Sequence, residues 1–257
     1  MTLARVEDKG DRLVVVNCNA GKRGALSPDL YAAVDDAVAR AADARVRAIL
    51  ITSEGGFFCA GGDLTILIER SKLAEDERKA KIEGLHGMIR RIRSAPVPVI
   101  AAVEGGAAGA GASLALACDL IVAAEGAKFT ASYVRAGLVP DGGLTSALSR
   151  LVPRALAMEM CLLARPVTAE RMADLGAINA VVPTGETEQH AHELADVLAR
   201  GPRTAQGVVR GLVAQAYEAE EARQLNAERD AMARAQGGPE AAEGIAAFLE
   251  KRKPDFG

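Results

Sequence analysis

Two glycine-rich turns and one isolated aspartate hold most of the chemistry that the residue types and spacing of this chain could support. The first turn is Phe57-Phe58-Cys59-Ala60-Gly61-Gly62-Asp63-Leu64. The second is Glu104-Gly105-Gly106-Ala107-Ala108-Gly109-Ala110-Gly111-Ala112-Ser113. Each lies between a buried-strand pattern and a helical one. Turns so placed leave backbone N–H groups unpaired at a helix N-terminus, and two such donors meeting at one point stabilise a developing oxyanion. The same residues also read as tight, closely packed turns, with Asp63 no more than a helix N-cap. Gly106, Gly109 and Gly111 echo a dinucleotide fingerprint. Their spacing departs from GxGxxG, and no acidic residue ends a following strand about twenty residues on. The third segment, Gly137-Leu138-Val139-Pro140-Asp141-Gly142-Gly143, reads as a turn with Asp141 capping a helix from Leu144, or as a carboxylate held rigidly for acid/base work.

Other catalytic patterns find little support. His86, His190 and His192 sit in polar helical stretches and read as solvated surface residues. No GxSxG elbow is present, and Ser113 lies inside an apolar helix start. Cys18, Cys59, Cys118 and Cys161 are widely spaced without a CxxC pair, so no metal site is expected and they read as small apolar core residues in a reducing cytoplasm.

The elements that must position these turns follow from local pattern. Leu13–Asn17, Val46–Thr52, Val97–Val103 and Leu120–Ala124 are β-branched or apolar runs expected as strands, with a brief one at Ala180–Val182. Ser27-Pro28 is a cap followed by proline at the first helical position, and helical spacing runs to about Asp43. A polar helix is expected over Leu64–Arg93, interrupted near Gly84 and Gly87, and a short apolar one over Ala112–Cys118. Glu104–Gly111 is expected as loop. Thr168 is a cap and Gly176 a stop signal. Beyond a soft boundary at Arg200–Pro202, Arg203–Gln236 and Pro239–Lys251 read as helices, the latter amphipathic through Ala242, Ile245, Ala246 and Leu249. Strands alternating with helices predict an α/β fold with parallel pairing.

Composition bounds the rest. The chain has 257 residues, 49% hydrophobic and 25% charged, with a net charge of −3, which fits one large globular domain or two smaller ones. Aromatics are 3% and Trp is absent, so a dedicated nucleic-acid partner is disfavoured. The N-terminal MTLARVEDKGDR has charges where a signal peptide needs its apolar stretch. Ser94–Cys118 carries Pro96, Pro98 and several glycines, which argues against a membrane span.

FFCAGGDL, PVIAAVEGGAAGAGASLALACDLIVAAEGAKF and GLVPDGG occur in the order and spacing of the crotonase superfamily, the enoyl-CoA hydratases and isomerases, which this chain resembles from about Leu13 to FLEKRKPDF. It is most similar to crotonase-type enzymes of aromatic-acid and phenylacetate breakdown, including alternative-type oxepin-CoA hydrolases. The resemblance implies a spiral of ββα units (residues 1–200) that binds acyl-CoA. It also implies a helical C-terminal region (201–257) that assembles homotrimers or dimers of trimers. The thioester oxygen would lie between the N–H groups of Gly62 and Ala110, with Ala60, Asp63 and Leu64 along the CoA groove. No cofactor is implied beyond the coenzyme A of the substrate.

The chain departs from the hydratase pattern at both catalytic glutamates, which fall on Ser113 and Tyr133. Neither supplies a carboxylate, and a tyrosine titrating near about 10 is a poor base at neutral pH. Asp141 remains, at a position that carries the acid/base aspartate in some isomerase members. The expectation is a double-bond shift with Asp141 as sole acid/base, Tyr133 orienting it or the substrate, and Ser113 lining the pocket. A hydratase or ring-opening CoA-thioester hydrolase, a non-catalytic acyl-CoA-binding homologue and, more distantly, a structural interaction protein are the alternatives. Lys22-Arg23 and Lys251-Arg252-Lys253 are candidates for capturing CoA phosphates, or plain solvated charge.

Overall fold

A computed structural model of the chain describes residues 2–217, 225–226, 228–232 and 238–256. Strands β1 (Ala4–Asp8), β2 (Arg12–Asn17), β3 (Ala48–Ser53), β4 (Val99–Val103), β6 (Leu120–Ala124) and β9 (Ala180–Val182) form one sheet in the order β1-β2-β3-β4-β6-β9. Pairing is parallel throughout except at the edge, where β1 runs antiparallel to β2. A second, small sheet joins β5 (Gly106–Ala108), β7 (Lys128–Thr130) and β8 (Val167–Thr168). β4 with β5, and β6 with β7, each send one strand to each sheet before turning into a helix, giving the ββα units expected.

β2, β3 and β4 are buried along nearly their whole length, as a parallel sheet covered on both faces requires. Alternate residues serve the two layers. Leu13, Val15, Ile49, Ile51, Val99 and Ala101 join the large core, which also takes in the buried faces of α1 (Pro28–Arg40) and α3 (Glu75–Arg93). Val14, Val16, Leu50 and Ile100 face Ala191 and Ala195 of α8 (Thr187–Ala199). Glu104, inside the second glycine-rich turn, is spent on that helix: its Oε1 accepts from Gly185 N at 3.0 Å and from Thr187 Oγ1 at 2.8 Å.

Several sequence expectations need correction. The Leu64–Arg93 helix breaks at Lys72–Ala74, into α2 (Leu64–Ser71) and α3, and runs unbroken through Gly84 and Gly87. Glu77 Oε2 accepts from Ala74 N at 3.0 Å and so restarts the helix, whereas Gly84 lies against Tyr31 and its small size is accommodated. Gly106–Ala108 is a strand rather than loop, held by β7. The short apolar helix α4 spans Ala110–Ala115 instead of Ala112–Cys118. β1, β7 and β8 were not anticipated. Asp141 does not cap α5 (Leu144–Leu151) with its side chain, because the N-cap is Gly143. Ser27 and Thr168 do cap, through Leu30 N and Arg171 N. The cysteines are unpaired; Cys59 and Cys118 are buried, Cys18 and Cys161 only half-buried. The three histidines are half-buried rather than fully solvated, and His86 Nε2 is buried without a partner among the described residues.

Past Pro202, α9 (Arg203–Gln215) and α10 (Pro239–Leu249) follow, with no strand among the described residues; 218–224, 227 and 233–236 of the expected Arg203–Gln236 helix lie outside those residues. Glu240 accepts from Thr204 N and Ala205 N, tying α10 to the start of α9. Arg210, 7% exposed at its side chain, reaches from α9 under the sheet to Asp119 and to the carbonyls of Ala95 and Ile92. Lys251 and Lys253 are exposed, and Arg252 pairs with Glu243 and Glu250, away from the cavity described below. Among the described residues no helix is long and apolar enough to cross a membrane, and no cluster of His, Cys, Asp or Glu could hold a metal.

Burial raises the Asp119 carboxyl, and Arg210 pulls it back. Removing Arg210 strands a buried charge and two buried carbonyls, so Arg210→Met should cost about 3 kcal/mol in urea unfolding at neutral pH. A carboxyl raised in the folded state destabilises only once deprotonated, so the deficit should shrink as pH falls toward the unfolded carboxylate value. A deficit independent of pH would show that Asp119 is not its source.

Candidate active site

The two glycine-rich turns meet. Ala108 N donates to Cys59 O at 2.9 Å, and a single parallel bridge joins Cys59 to Ala107. Gly111 lies so close to this strand end that a Cβ there would stand 2.1 Å from Cys59 O. Gly61, at φ +93°, leaves no room either: a Cβ would stand 2.7 Å from Ala108 O and 3.0 Å from Ala110 N. Only glycine permits both the conformation and the approach.

This contact fixes where two N–H groups point. In a trans peptide the C=O and the following N–H are opposed. Gly61 O is turned inward to accept from Leu26 N at 2.8 Å, so Gly62 N–H faces the other way. Gly109 O accepts from Ala112 N at 2.9 Å and Ser113 N at 3.2 Å inside α4, so Ala110 N–H projects from the helix start. Neither N–H has an acceptor among the described residues, and both residues line one cavity of about 1020 Å³. Two unpaired donors on one cavity wall are the kind of group that can stabilise an oxyanion.

Asp141 lines the same cavity. Tyr133, on the short 3-10 helix Ser132–Ala136, donates its hydroxyl to Asp141 Oδ1 at 2.8 Å. Ser113 Oγ donates to the Asp141 backbone O at 2.9 Å and lies 3.2 Å from the Tyr133 hydroxyl. Gly142, at φ +61°, holds the turn against Ser113, where a Cβ would come within 2.8 Å of Ser113 Cβ. Burial first, then the charge of Asp141, push the Tyr133 phenol well above its usual range, so it stays a donor. The two positions that lack glutamate thus converge on the remaining carboxylate.

The other predicted residues divide. Ala60, Asp63 and Lys22 line the cavity; Asp63 both caps α2, accepting from Thr65 N at 2.9 Å, and pairs with Lys22. Leu64 opens α2. Ser113, 2% exposed, sits behind Asp141 rather than on the cavity surface. Arg23 does not line it: its guanidinium stacks 3.9 Å over the Phe57 ring, and its backbone O accepts from Ala60 N. Arg23 shapes the first turn instead. Sequence reasoning missed Tyr31, Arg70 and Lys81 on the cavity wall. Lys81 with Arg78, Ile82 and Leu85 keeps helical i, i+3, i+4, i+7 spacing, a signal available in the sequence.

Residues 11–257 match the model of the family described as enoyl-CoA hydratase/isomerase. The chain belongs to that family. A protein of Rhodobacter capsulatus named probable enoyl-CoA hydratase is 39% identical over 251 residues, covering 96% of this chain and 91% of its own. The 1,2-epoxyphenylacetyl-CoA isomerase of Escherichia coli is 37% identical over 215 residues, 83% of this chain and 82% of that one. The crystal structure of an enoyl-CoA hydratase from Polaromonas sp. JS666 superposes with a TM-score of 0.95 at 42% identity, covering 98% of each chain. The fold is that of the crotonase superfamily, as the sequence motifs implied, and phenylacetate-type relatives are among its kin.

Within this family member's first turn, burial pushes the Cys59 thiol up to about 12. A thiol-titrating reagent at pH 8 should therefore modify only Cys18 and Cys161 in the folded enzyme, and Cys59 and Cys118 only in denaturant. Rapid labelling of Cys59 in the native state would contradict the packing of this turn.

Proposed function

We propose that the enzyme shifts a double bond in an acyl-CoA thioester through an enolate, with Asp141 as the single acid/base. The observation that carries this reading is a census of cavity carboxylates. Among the described residues only Asp63 and Asp141 line it, and Asp63 is committed to a helix cap and to Lys22. Adding water by the two-carboxylate route needs a second carboxylate at the reacting carbons; moving a proton needs one.

The chemistry follows from the geometry. Tyr133 occupies Asp141 Oδ1, which leaves Oδ2 to take the proton from the carbon next to the thioester carbonyl. The C–H electron pair moves toward the carbonyl, and the oxygen gathers charge between Gly62 N–H and Ala110 N–H. Asp141, now neutral, returns the proton to the γ carbon; the carbonyl re-forms and the double bond comes to lie between the α and β carbons. The same carboxylate is regenerated. The relative named 1,2-epoxyphenylacetyl-CoA isomerase supports an isomerisation of a CoA thioester without net addition of water, and the double-bond shift itself rests on the carboxylate census. The relative named probable enoyl-CoA hydratase favours a second reading, in which Asp141 activates a water oriented by the Tyr133 and Ser113 hydroxyls, for hydration or ring opening.

Asp141→Asn should lower kcat for 3-enoyl-CoA isomerisation on the order of 10³-fold with thioester binding retained. Tyr133→Phe removes one hydrogen bond to a charged group and should lower kcat roughly tenfold. Because Tyr133 holds its proton, kcat should stay flat from pH 8 to 10. Hydration of crotonyl-CoA outpacing isomerisation would replace the proposal with the second reading, and tight binding without turnover on any thioester would replace both.

We also propose that residues 201–257 form the contact between copies in a homotrimer or pair of trimers. Val209 and Val213 of α9 and Ile245 and Leu249 of α10 are all more than half exposed in one chain, an apolar surface that a partner copy would cover. Sedimentation should give the mass of three or six chains; a monomer at micromolar concentration would contradict it.

A further inference from the structure

The cavity wall carries cations that its own carboxylates do not pair. Among the described residues five cations line it against two carboxylates. Lys22 pairs with Asp63, Arg78 donates to Leu73 O at 2.7 Å, and Arg135 donates to Ala164 O at 2.6 Å. Arg70 and Lys81 have no acidic partner among the described residues.

Their place along the cavity is fixed by α3. Leu85 lies beside the acid/base turn, since a Cβ on Gly142 would stand 3.2 Å from Leu85 Cδ2. Lys81 is one helical turn before Leu85 on the same cavity-lining stripe, about 6 Å further along the axis. Ile82 lies between them. The wall therefore passes from apolar beside Asp141 to cationic beyond it. Arg70 approaches from α2, near enough to Tyr31 that its charge and that of Asp141 both act on the Tyr31 hydroxyl. Arg70 is half-buried, where a charge interacts more strongly than at the open surface.

We infer that Arg70 and Lys81 select an acyl group with a carboxylate at the end remote from the thioester. This rests on the reading that the thioester oxygen sits at Gly62 and Ala110, so that the acyl chain runs past Asp141 toward α2 and α3. An anion there gains two unpaired cations, whereas an alkyl end would leave the half-buried Arg70 further desolvated and both cations unmatched.

The test is calorimetric binding of two saturated, unreactive six-carbon thioesters, hexanoyl-CoA and adipoyl-CoA, with free coenzyme A as reference. The protein should bind adipoyl-CoA about tenfold or more tighter than hexanoyl-CoA. Arg70→Gln and Lys81→Gln, each checked for folding by circular dichroism, should erase most of that preference. Equal affinities in the unaltered protein would overturn the inference. So would variants that weaken both thioesters and free coenzyme A alike, because the cations would then serve the CoA phosphates. Since neither ligand reacts, absence of double-bond shift with the preference intact would remove the isomerase reading alone. Failure of both thioesters to bind would remove the shared premise.

Discussion

The site depends on the contact between Gly61 and the start of α4. That contact requires glycine at Gly61 and Gly111, because any Cβ would collide with backbone rather than with a side chain that could move aside. Once the two turns are pressed together, each peptide plane is set by where its carbonyl is already bonded: Gly61 O to Leu26 N, Gly109 O into α4. The donors are then fixed before any substrate arrives. Preorganisation of this kind stabilises charge without reorientation as the reaction proceeds.

The frame around this contact explains its rigidity. The strands feeding the turns, β3 and β4, are central in a parallel sheet buried on both faces, and β5 is clamped between Cys59 and β7. Glu104, the one charge inside the second turn, is drawn off to the start of α8, so Ala110 N–H faces no competing carboxylate from its own loop. The one cavity carboxylate among the described residues without a cap or ion pair is brought from a different segment and is held by Tyr133 at the side chain and by Ser113 at the backbone. Amide donors, carboxylate and apolar wall are thereby supplied by separate elements of one fold.

Much of this was legible in the sequence. The buried β-branched runs gave β2, β3, β4 and β6, and Ser27 and Thr168 gave their helix starts, because these features depend on neighbours in the chain. The short strands β5, β7 and β8 were not legible, since Gly-Ala-Ala and Val-Thr carry no pattern of their own and are strands only because partners bond to them. Gly84 and Gly87 misled for the same reason: a glycine in a helix costs about 1 kcal/mol, which tertiary packing overrides. At the site, the three motifs pointed to Gly62, Ala110 and Asp141, which line one cavity, but spacing could not show that Ser113 and Tyr133 bond to Asp141. Arg23 carried the expected charge and still faces Phe57, because a cation beside a turn has several ways to be satisfied.

The account stands on a thioester carbonyl polarised by two backbone donors. Isotope-edited infrared spectroscopy of hexanoyl-CoA labelled with carbon-13 at the carbonyl measures that polarisation directly. Bound to the enzyme, the carbonyl stretch should fall to lower frequency than in water. A stretch unchanged or raised on binding would show that Gly62 and Ala110 do not hold the oxygen, and the enolate chemistry would have no support in this fold.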